Sequence, residues 1–543
     1  MRPFGLLYLL ILLLSACAQV ADISGGERDT DPPLLVVADP PHLTTNFTGD
    51  RITLSFNERV QLDRVRDRLL ISPPLTSTPE VRLTGPRTVT IGLTAPLSPN
   101  TTYSFSIGEA IRDLTEGNIA AGLVHVISTG SFVDSSMIAG KVTNAFTGQP
   151  ESGVLVVVHQ VGDTGSVRTS RPAFATRTNG SGDLLLDHLR DGEYRLYALR
   201  DQNANYRFDL PNEEIAFLDD PVRALRPSDS LQVHQLRLFK EVGSKQQVRE
   251  TQVTADGALQ LILNRPAKSI TIEDVARTGG TLQWLTEWVP TRDTVLLWPS
   301  DTTALQAGRY RITAEEEVID TIGYRRRQAM PFFTGLMVEL MDGSDSGMIS
   351  ISASRPIATI DTSLFEIMHE DKAIDHSLSR DPTSPRKIRI EASILPGDEV
   401  LLLIRPGAIT DIYGGRNDTL RAPLGRAAEE STGSVRIKLK VEDGSTGPFI
   451  IQLLDPQGRV LLEGPITGPG EEIVWDRLPP GKARLRLIGD SNGNGRWDTG
   501  DLDRGVQPEM VWHHPDVLNI RAAWDIGIEW RIGEKVAVGV KQP

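Results

Sequence analysis

The chain has one cysteine, Cys17, in 543 residues, so no disulfide can form within it. Long apolar runs are also scarce. The longest, Phe4–Leu14, is shorter than the roughly 20 residues that a helix needs to cross a bilayer. The net charge is −14, which gives no basic footprint for nucleic acid. The composition therefore excludes a disulfide-stapled domain, a multi-span helical membrane protein and a nucleic-acid-binding protein.

Motifs that mark several catalytic centres are also missing. The chain has no His-Glu-x-x-His pair, no phosphate-cradling Gly-x₄-Gly-Lys loop and no Gly-x-Gly-x-x-Gly turn. Paired carboxylates for glycoside hydrolysis need only proximity in space, and nothing in the sequence singles out such a pair. We therefore expect a protein that is not an enzyme.

The first residues have the order of a secretory signal peptide. Arg2 supplies the positive charge, the apolar run follows, and the small residues Ser15 and Ala16 precede Cys17. We expect residues 1–16 to be removed on export.

Leu14-Ser15-Ala16-Cys17 resembles the lipobox of bacterial lipoproteins. The resemblance implies cleavage before Cys17 and a covalent lipid such as palmitate on the cysteine, which would anchor the chain to a membrane. The alternative is an ordinary signal-peptide cysteine that is discarded after cleavage. Residues 17–31 are small and polar and predict a flexible tether. Because Ala18-Gln19 contains no Asp, we expect a cell-envelope lipoprotein of the outer membrane, facing the periplasm or the surface.

Beyond the tether, apolar and polar residues alternate with a period of two, as in Arg51–Phe56, Thr102–Ile107 and Val435–Val441. Such runs between Pro, Gly, Asn and Asp predict half-buried antiparallel strands, whereas Val60–Leu70 predicts a short helix. At roughly 100–150 residues per domain, the length predicts four or five domains. The expected fold class is all-β, with β-sandwich domains in a tandem array after a lipoprotein signal peptide.

One sequence unit occurs three times. Its opening strands are Ile52–Val60, Leu259–Ala267 and Ile349–Ile357. The first copy resembles the SbsA-type bacterial Ig-like domain, on the motifs Phe56-Asn57-Glu58, Ile71–Pro74, Leu97–Tyr103 and Ala110–Asn118. The resemblance implies an Ig-like β-sandwich over residues 32–134 and two degenerate Ig-like domains over 244–341 and 342–428.

A second unit occurs twice, over residues 135–243 and 429–543. The first copy carries Thr176–Gly182, and Gly192, Tyr194 and Leu196 follow. These motifs resemble the transthyretin-like, carboxypeptidase-regulatory-like β-sandwich. The whole pattern resembles Bacteroidota-type Ig-like domain-containing lipoproteins, a group whose resemblance implies no firm biochemical activity.

Each copy of this second unit contains an Asp/Asn-rich loop with the spacing of an EF-hand, whose ligands stand at positions 1, 3, 5, 7, 9 and 12. The later loop offers Asp490, Asn492, Asn494, Arg496 (through its carbonyl), Asp498 and Asp501. The earlier loop offers Asp201, Asn203, Asn205, Arg207 (through its carbonyl) and Asp209, with Asn212 or Glu213 as the last ligand. We expect structural calcium of weak affinity. The alternative is that both runs are simply turns.

These features predict a non-enzymatic envelope lipoprotein that acts as a scaffold, adhesin or protein-interaction rod. Its partners would be the membrane, through the lipid, and an unidentified envelope protein or glycan. One alternative is a glycan- or ligand-binding surface lipoprotein that uses Trp284 and Trp288. The other is an accessory subunit of an envelope enzyme. Packing of the two tryptophans in a core competes with the glycan interpretation.

Overall fold

A computed structural model describes residues 29–533 except for 121, 164, 244, 276–282, 301–307, 325–333, 342–346, 371 and 443. The predicted signal peptide, Cys17 and most of the tether lie outside the described residues. In the described part of the chain, no helix has the length and apolar character needed to cross a bilayer. The fold class is confirmed, because the structure consists of β-sheets with only a few helical turns.

The first domain follows the alternation of its sequence closely. Its elements are β1 (Leu35–Asp39), β2 (Arg51–Phe56), β3 (Val60–Leu62), α1 (Val65–Arg68), β4 (Leu70–Ser72), β5 (Glu80–Gly85), β6 (Thr88–Gly92), β7 (Thr102–Ser106), β8 (Ile111–Asp113) and β9 (Val124–Ser128). One sheet has the order β1-β2-β6-β5 and the facing sheet β4-β7-β9, and β3 pairs with β8. The helix predicted over Val60–Leu70 is confined to one turn, because β3 takes its first residues.

The second domain contains β10 (Ser136–Asn144), β11 (Leu155–Gln160), β12 (Phe174–Arg177), β13 (Asp183–Leu189), β14 (Glu193–Leu199), β15 (Glu214–Phe217), β16 (Val222–Arg223) and β17 (Val233–Lys240). Its strands follow the order β12-β11-β14-β15-β17-β10-β13. The ladders are antiparallel except for β10 and β17, which run parallel.

The third and fourth domains repeat the first. The third contains β18 (Val248–Val253), β19 (Leu259–Leu263), β20 (Ile270–Asp274), β21 (Trp284–Trp288), β22 (Thr294–Pro299), β23 (Gly308–Ala314) and β24 (Glu317–Tyr324). The fourth contains β25 (Leu336–Met341), β26 (Gly347–Ala353), β27 (Ile357–Ile360), β28 (Phe365–His369), β29 (Lys372–Ala373), β30 (His376–Arg380), β31 (Lys387–Ala392), β32 (Glu399–Ile404), β33 (Ile409–Asp411) and β34 (Leu420–Gly425).

Their sheets β18-β19-β22-β21 and β25-β26-β31-β30 have the same arrangement as β1-β2-β6-β5 in the first domain. One predicted boundary is wrong. β25 lies before residue 342, within the range assigned to the third domain, but it pairs along its whole length with β26 of the fourth. The predicted boundary falls too late because the repeated sequence motif covers the second strand of each domain, whereas each domain begins one strand earlier.

The fifth domain contains β35 (Gly433–Val441), β36 (Phe449–Leu454), β37 (Val460–Ile466), β38 (Glu472–Leu478), β39 (Gly481–Gly489), β40 (Val511–His513), β41 (Leu518–Ile520) and β42 (Asp525–Ile532). It shares the second domain's topology, since its first and last strands, β35 and β42, also pair in parallel. In both domains the second strand lies between the third and the fifth.

One strand of the second domain is apolar on both faces. In β11, residues 155–158 read Leu-Val-Val-Val and all are buried. Val156 and Val158 face the main core of the domain, whereas Leu155 and Val157 belong to a second cluster on the opposite face. Burial of one such side chain stabilises a fold by about 1.5–3 kcal/mol. The second face must therefore be covered.

The first domain covers part of that face. Leu70 of β4 joins the same cluster as Leu155. The backbone N–H of Ala175 in β12 donates to Ser72 Oγ at 3.0 Å, and an Arg171 Nη1 donates to the Leu75 carbonyl at 2.6 Å. These contacts fix how the first two domains meet.

The fifth domain covers another part, although two domains separate it from the second in sequence. Trp497 and Leu502 pack on the same cluster, and the Trp497 ring lies edge-on to Phe146 at 5.1 Å between centroids. Arg168 forms an ion pair with Asp503 at 2.9 Å. The chain therefore folds back on itself. The extended rod of five consecutive domains expected from the sequence is wrong for the second and fifth domains.

Third and fourth domains meet through a buried carboxylate. Glu287 in β21 accepts hydrogen bonds from Trp298 Nε1 at 3.1 Å, Ser384 Oγ at 2.8 Å and Arg386 Nε at 2.7 Å. A buried carboxylate is costly when it loses any of its hydrogen-bond donors. The three donors to Glu287 therefore favour one orientation of the third domain relative to the fourth.

Gly500 provides a test of the fold-back. A Cβ at this position would lie 2.5 Å from Cζ of Phe239 in the second domain and 2.8 Å from the Val506 carbonyl oxygen. We expect Gly500→Val to separate the second and fifth domains and to increase the radius of gyration measured by small-angle X-ray scattering. Gly527→Val is the matched control, since its Cβ would meet nothing within 4 Å. An unchanged radius for both variants would show that the contact does not hold the chain in this arrangement.

Candidate metal-binding loops

The earlier loop follows β14 and is closed by its own side chains. Asp201 accepts from the backbone N–H groups of Asn205 at 3.3 Å and Tyr206 at 2.8 Å. The side-chain amides of Asn203 and Asn205 donate to the Asp209 carboxylate at 3.2 and 2.8 Å. Four of the predicted ligands therefore lie on one tight coil.

The later loop follows β39 and repeats this geometry. Asp490 accepts from the backbone N–H groups of Asn494 at 2.9 Å and Gly495 at 2.8 Å. The amides of Asn492 and Asn494 both donate to Asp498 Oδ2 at 2.5 Å. Side chains at positions 1, 3, 5 and 9 thus occupy equivalent places in the two loops.

The two loops are closed by glutamates. Glu213, which is 1% exposed, accepts from the N–H groups at positions 2 and 9 of its loop, Gln202 at 3.1 Å and Asp209 at 2.9 Å. Glu509 accepts from the N–H groups at the same two positions of the later loop, Ser491 at 2.7 Å and Asp498 at 2.8 Å. Of the two residues left open for the earlier loop, Glu213 is the one that closes it.

The prediction of Asp501 as the last member of the later loop is wrong. Its carboxylate instead accepts from the Arg504 N–H at 3.0 Å and caps a separate turn between residues 501 and 506. This turn is inserted between Asp498 and Glu509, so the closing glutamate comes eight residues later than EF-hand spacing places it. The sequence signal that points to Glu509 is its correspondence with Glu213, the acidic residue that ends the shorter loop.

The donor set fits calcium only in part. Two carboxylates, two amides and a glutamate surround each coil, and calcium prefers such oxygen ligands. Both amides of the later loop, however, present nitrogen to Asp498, and each must turn to offer its oxygen. Arg496 also forms an ion pair with Asp498 at 3.1 Å, which competes with a cation. Among the described residues, no three His, Cys, Asp or Glu side chains are placed to hold one metal ion.

Position 6 shows how the loops differ. Gly495 has φ +78°, a left-handed conformation that glycine adopts without strain, and Tyr206 has φ +66° at the same place. For a residue with a Cβ this conformation costs about 1–2 kcal/mol. The Tyr206 ring packs against the cluster shared with the first domain, and burial raises the pKa of its hydroxyl. Packing at the junction compensates for the strain.

Each loop lies at a junction between domains. Tyr206 and Phe208 of the earlier loop join the cluster that includes Leu70 of the first domain. Trp497 of the later loop packs on the same cluster, and Thr499 Oγ1 donates to the Lys240 carbonyl at 2.8 Å. Both loops therefore position one domain against another.

Ser491 stands in a Gly-x-Ser-x-Gly sequence, Gly489–Gly493. The same pattern forms the nucleophile elbow of α/β-hydrolases, a sharp turn from a strand into a helix. Here the strand β39 ends at Gly489 and the next regular element described is the strand β40. The Ser491 hydroxyl donates to Glu509 Oε1 at 2.7 Å. This serine belongs to the loop closure.

The Asp113 carboxylate binds backbone N–H groups of the turn that follows it. One carboxylate oxygen accepts from the N–H groups of residues 115–117, and the other accepts from Asn118 at 2.7 Å. Burial would raise the pKa of Asp113, but these donors outweigh it and hold the pKa below its ordinary value. These hydrogen bonds fix the turn.

The two tryptophans considered for glycan stacking face other side chains. Trp284 lies edge-on to Tyr310 at 5.4 Å and to Tyr324 at 6.1 Å between ring centroids. The Arg292 guanidinium lies over the Trp288 ring at 4.7 Å. Both rings pack against the core of the third domain. This arrangement agrees with core packing, the alternative to glycan stacking.

Comparison with known families matches residues 29–132 to a bacterial Ig-like domain. The prediction of a bacterial Ig-like domain is therefore confirmed for the first domain. No curated protein matches the chain.

Among solved structures, this chain is similar to several bacterial proteins at low identity. The BcpA major pilin subunit of Bacillus cereus is 8% identical over 73% of this chain and 99% of its own, with a TM-score of 0.14. The TIE protein of Bacillus anthracis is 10% identical over 93% and 76%, with a TM-score of 0.15. The S-layer protein rSbsC(31-844) is 11% identical over 89% and 66%, with a TM-score of 0.14. At such TM-scores these likenesses carry no functional argument.

Glu213 allows the closure of the earlier loop to be tested. Glu213→Ala leaves the N–H groups of Gln202, Asp209 and Leu210 without their acceptor. The lost bonds should cost about 1–3 kcal/mol. We expect these three amides to exchange hydrogen faster, as measured by mass spectrometry. Glu250→Ala, at an exposed position of β18, is the control and should leave them unchanged. Unaltered exchange in Glu213→Ala would mean that other contacts hold the loop.

Proposed function

We propose that the chain is a non-enzymatic lipoprotein of the cell envelope whose β-sandwich domains form a folded-back scaffold for contacts with other proteins. One observation carries the proposal. The second domain contacts both the first and the fifth, and each contact includes an Asp/Asn loop that is closed by a glutamate. In this arrangement the Asp and Asn residues that resemble a metal site help to fix how the domains are oriented.

The anchor in this proposal is a lipid on Cys17. Acyl chains contribute roughly 0.8 kcal/mol per buried CH₂, and two chains hold a protein firmly on a bilayer. The tether that follows the cysteine leads into β1, so the first domain stands nearest to the membrane. Outer-membrane residence is part of the proposal and rests on the lipobox and on Ala18-Gln19.

Calcium in the two loops is also part of the proposal. Bound calcium would be held by Asp490, Asn492, Asn494, Asp498 and Glu509 in the later loop and by their equivalents in the earlier one. Its role would be to stiffen the domain junctions. The amide rotation and the competing Arg496 predict weak affinity, in the range of roughly 10⁻⁴–10⁻³ M typical of extracellular modules.

Calcium binding is tested on the full chain without the predicted signal peptide. We expect calcium at millimolar concentration to raise the unfolding temperature, measured by calorimetry, relative to the same protein in chelator. Asp490→Ala combined with Asp498→Ala should remove the contribution of the later loop. Glu509→Gln should weaken it, whereas Asp501→Asn should not. Magnesium is the ion control, since its stricter octahedral geometry suits this loop poorly.

An unfolding temperature that is the same in calcium and chelator would refute the calcium proposal and leave the turn interpretation. If Asp501→Asn lost the calcium-dependent rise in unfolding temperature while Glu509→Gln kept it, the assignment of Glu509 as the closing residue would be incorrect.

Lipidation is tested in cells. We expect radiolabelled palmitate to be incorporated into the chain and the label to disappear in Cys17→Ala. The labelled protein should fractionate with the outer membrane. Ser15→Ala is the control, because it retains the cysteine and a small residue before it. A wild-type chain that is cleaved and released without label would show that Cys17 is an ordinary signal-peptide residue.

A further inference from the structure

A cleft runs between the first and second domains, beside the earlier Asp/Asn loop. Its volume is about 1040 Å³. One wall is apolar and comes from the first domain, with Leu69, Ile71 and Leu75. Arg66 of the first domain and Arg171 and Arg207 of the second also line it.

The charge of the cleft is opposite to that of the protein. The chain has a net charge of −14, yet the residues that line the cleft include three arginines and no Asp or Glu. Elsewhere in the first domain Arg68 and Arg112 pair with Asp63. In the described part of the chain, Arg66, Arg171 and Arg207 form no such pair with a carboxylate. The lining of the cleft is therefore positively charged.

Arg207 has an unpaired donor beside the cleft. Its Nε is buried and has no hydrogen-bond partner among the described residues. A buried donor without an acceptor destabilises the folded state, and more so when it carries charge. The neighbouring Tyr206 packs at the junction and so places the backbone of residue 207 beside the cleft. Arg171 spends one donor on the Leu75 carbonyl, and its guanidinium carries further N–H groups.

We propose that this cleft binds an acidic segment of a partner polypeptide. Guanidinium groups bind carboxylates through paired hydrogen bonds, and the apolar wall accepts aliphatic side chains between them. An inorganic anion would satisfy the arginines but leave the apolar wall in water. A flat bilayer surface does not enter a concave site. The volume lies at the upper limit for small-molecule pockets of roughly 300–1000 Å³, which suits a peptide better than a metabolite.

The neighbouring backbone supports a polypeptide. β5 is the terminal strand of its sheet, so its outer edge has no strand partner in the part of the chain that the structure describes. Val81 of β5 lines the cleft. An extended peptide that enters there finds free backbone N–H and C=O groups along one side, as in β-strand addition. The inference does not depend on calcium or on lipidation.

The test uses fluorescence polarisation with the full chain lacking only the predicted signal peptide. The probe is a labelled ten-residue peptide of alternating Glu and Leu. Matched peptides replace Glu by Gln or Leu by Ser. We expect saturable binding of the Glu-Leu peptide that weakens with salt, since the pairing is partly exposed. Both matched peptides should bind at least about tenfold more weakly, because each lacks one half of the recognition.

Substitutions locate the binding. Arg66→Gln combined with Arg207→Gln should weaken binding of the Glu-Leu peptide by about tenfold or more, since both changes remove charge-assisted hydrogen bonds to its carboxylates. Arg66→Glu alone is the variant least able to disturb folding, because the residue is exposed, and it should also weaken binding. The control is Arg311→Gln with Arg436→Gln, which removes two exposed arginines in other domains.

Three results would overturn the proposal. One is the absence of saturable binding by the Glu-Leu peptide. Another is equal weakening by the control and the cleft variants, which would place binding elsewhere. The last is equal affinity for the Glu-Ser peptide together with complete competition by inorganic phosphate, which would make the cleft a site for small anions.

Discussion

The arrangement of this protein depends on one sheet that is apolar on both faces. β11 of the second domain buries Val156 and Val158 in its own core and presents Leu155 and Val157 on the other side. No single β-sandwich can cover both. Leu70 of the first domain and Trp497 of the fifth complete the cover. The hydrophobic effect thus acts between domains here much as it does within them, and it brings together parts of the chain far apart in sequence.

Polar groups then set the orientation that apolar contact leaves free. Apolar burial has little directional preference, whereas a hydrogen bond needs its donor and acceptor in line. The two Asp/Asn loops meet this need because each is internally closed and so presents a rigid edge to its neighbour. Glu287 has the same effect between the third and fourth domains, where one carboxylate accepts from three side chains. Loop geometry and junction geometry are therefore coupled, and an ion in a loop would act on the junction.

The arginine cleft follows from this junction. Its apolar wall belongs to the first domain, and two of its arginines belong to segments of the second that cover the outer face of β11. Neither domain alone would form it. A partner bound in the cleft would contact both domains and stabilise their contact, because binding to the assembled form favours that form.

The sequence by itself determined the class of fold and its repetition. Period-two alternation fixes which residues face the core in a strand such as Arg51–Phe56, and that local constraint operates wherever the chain is placed. The side chains at positions 1, 3, 5 and 9 of each loop could also be predicted, since their hydrogen-bond donors lie within the same nine residues. Glu509 was not, because a separate turn intervenes after Asp498. The fold-back, the start of the fourth domain at β25 and the arginine cleft were decided only by tertiary structure. Each depends on which surfaces meet across domains, and spacing along a chain carries no record of that.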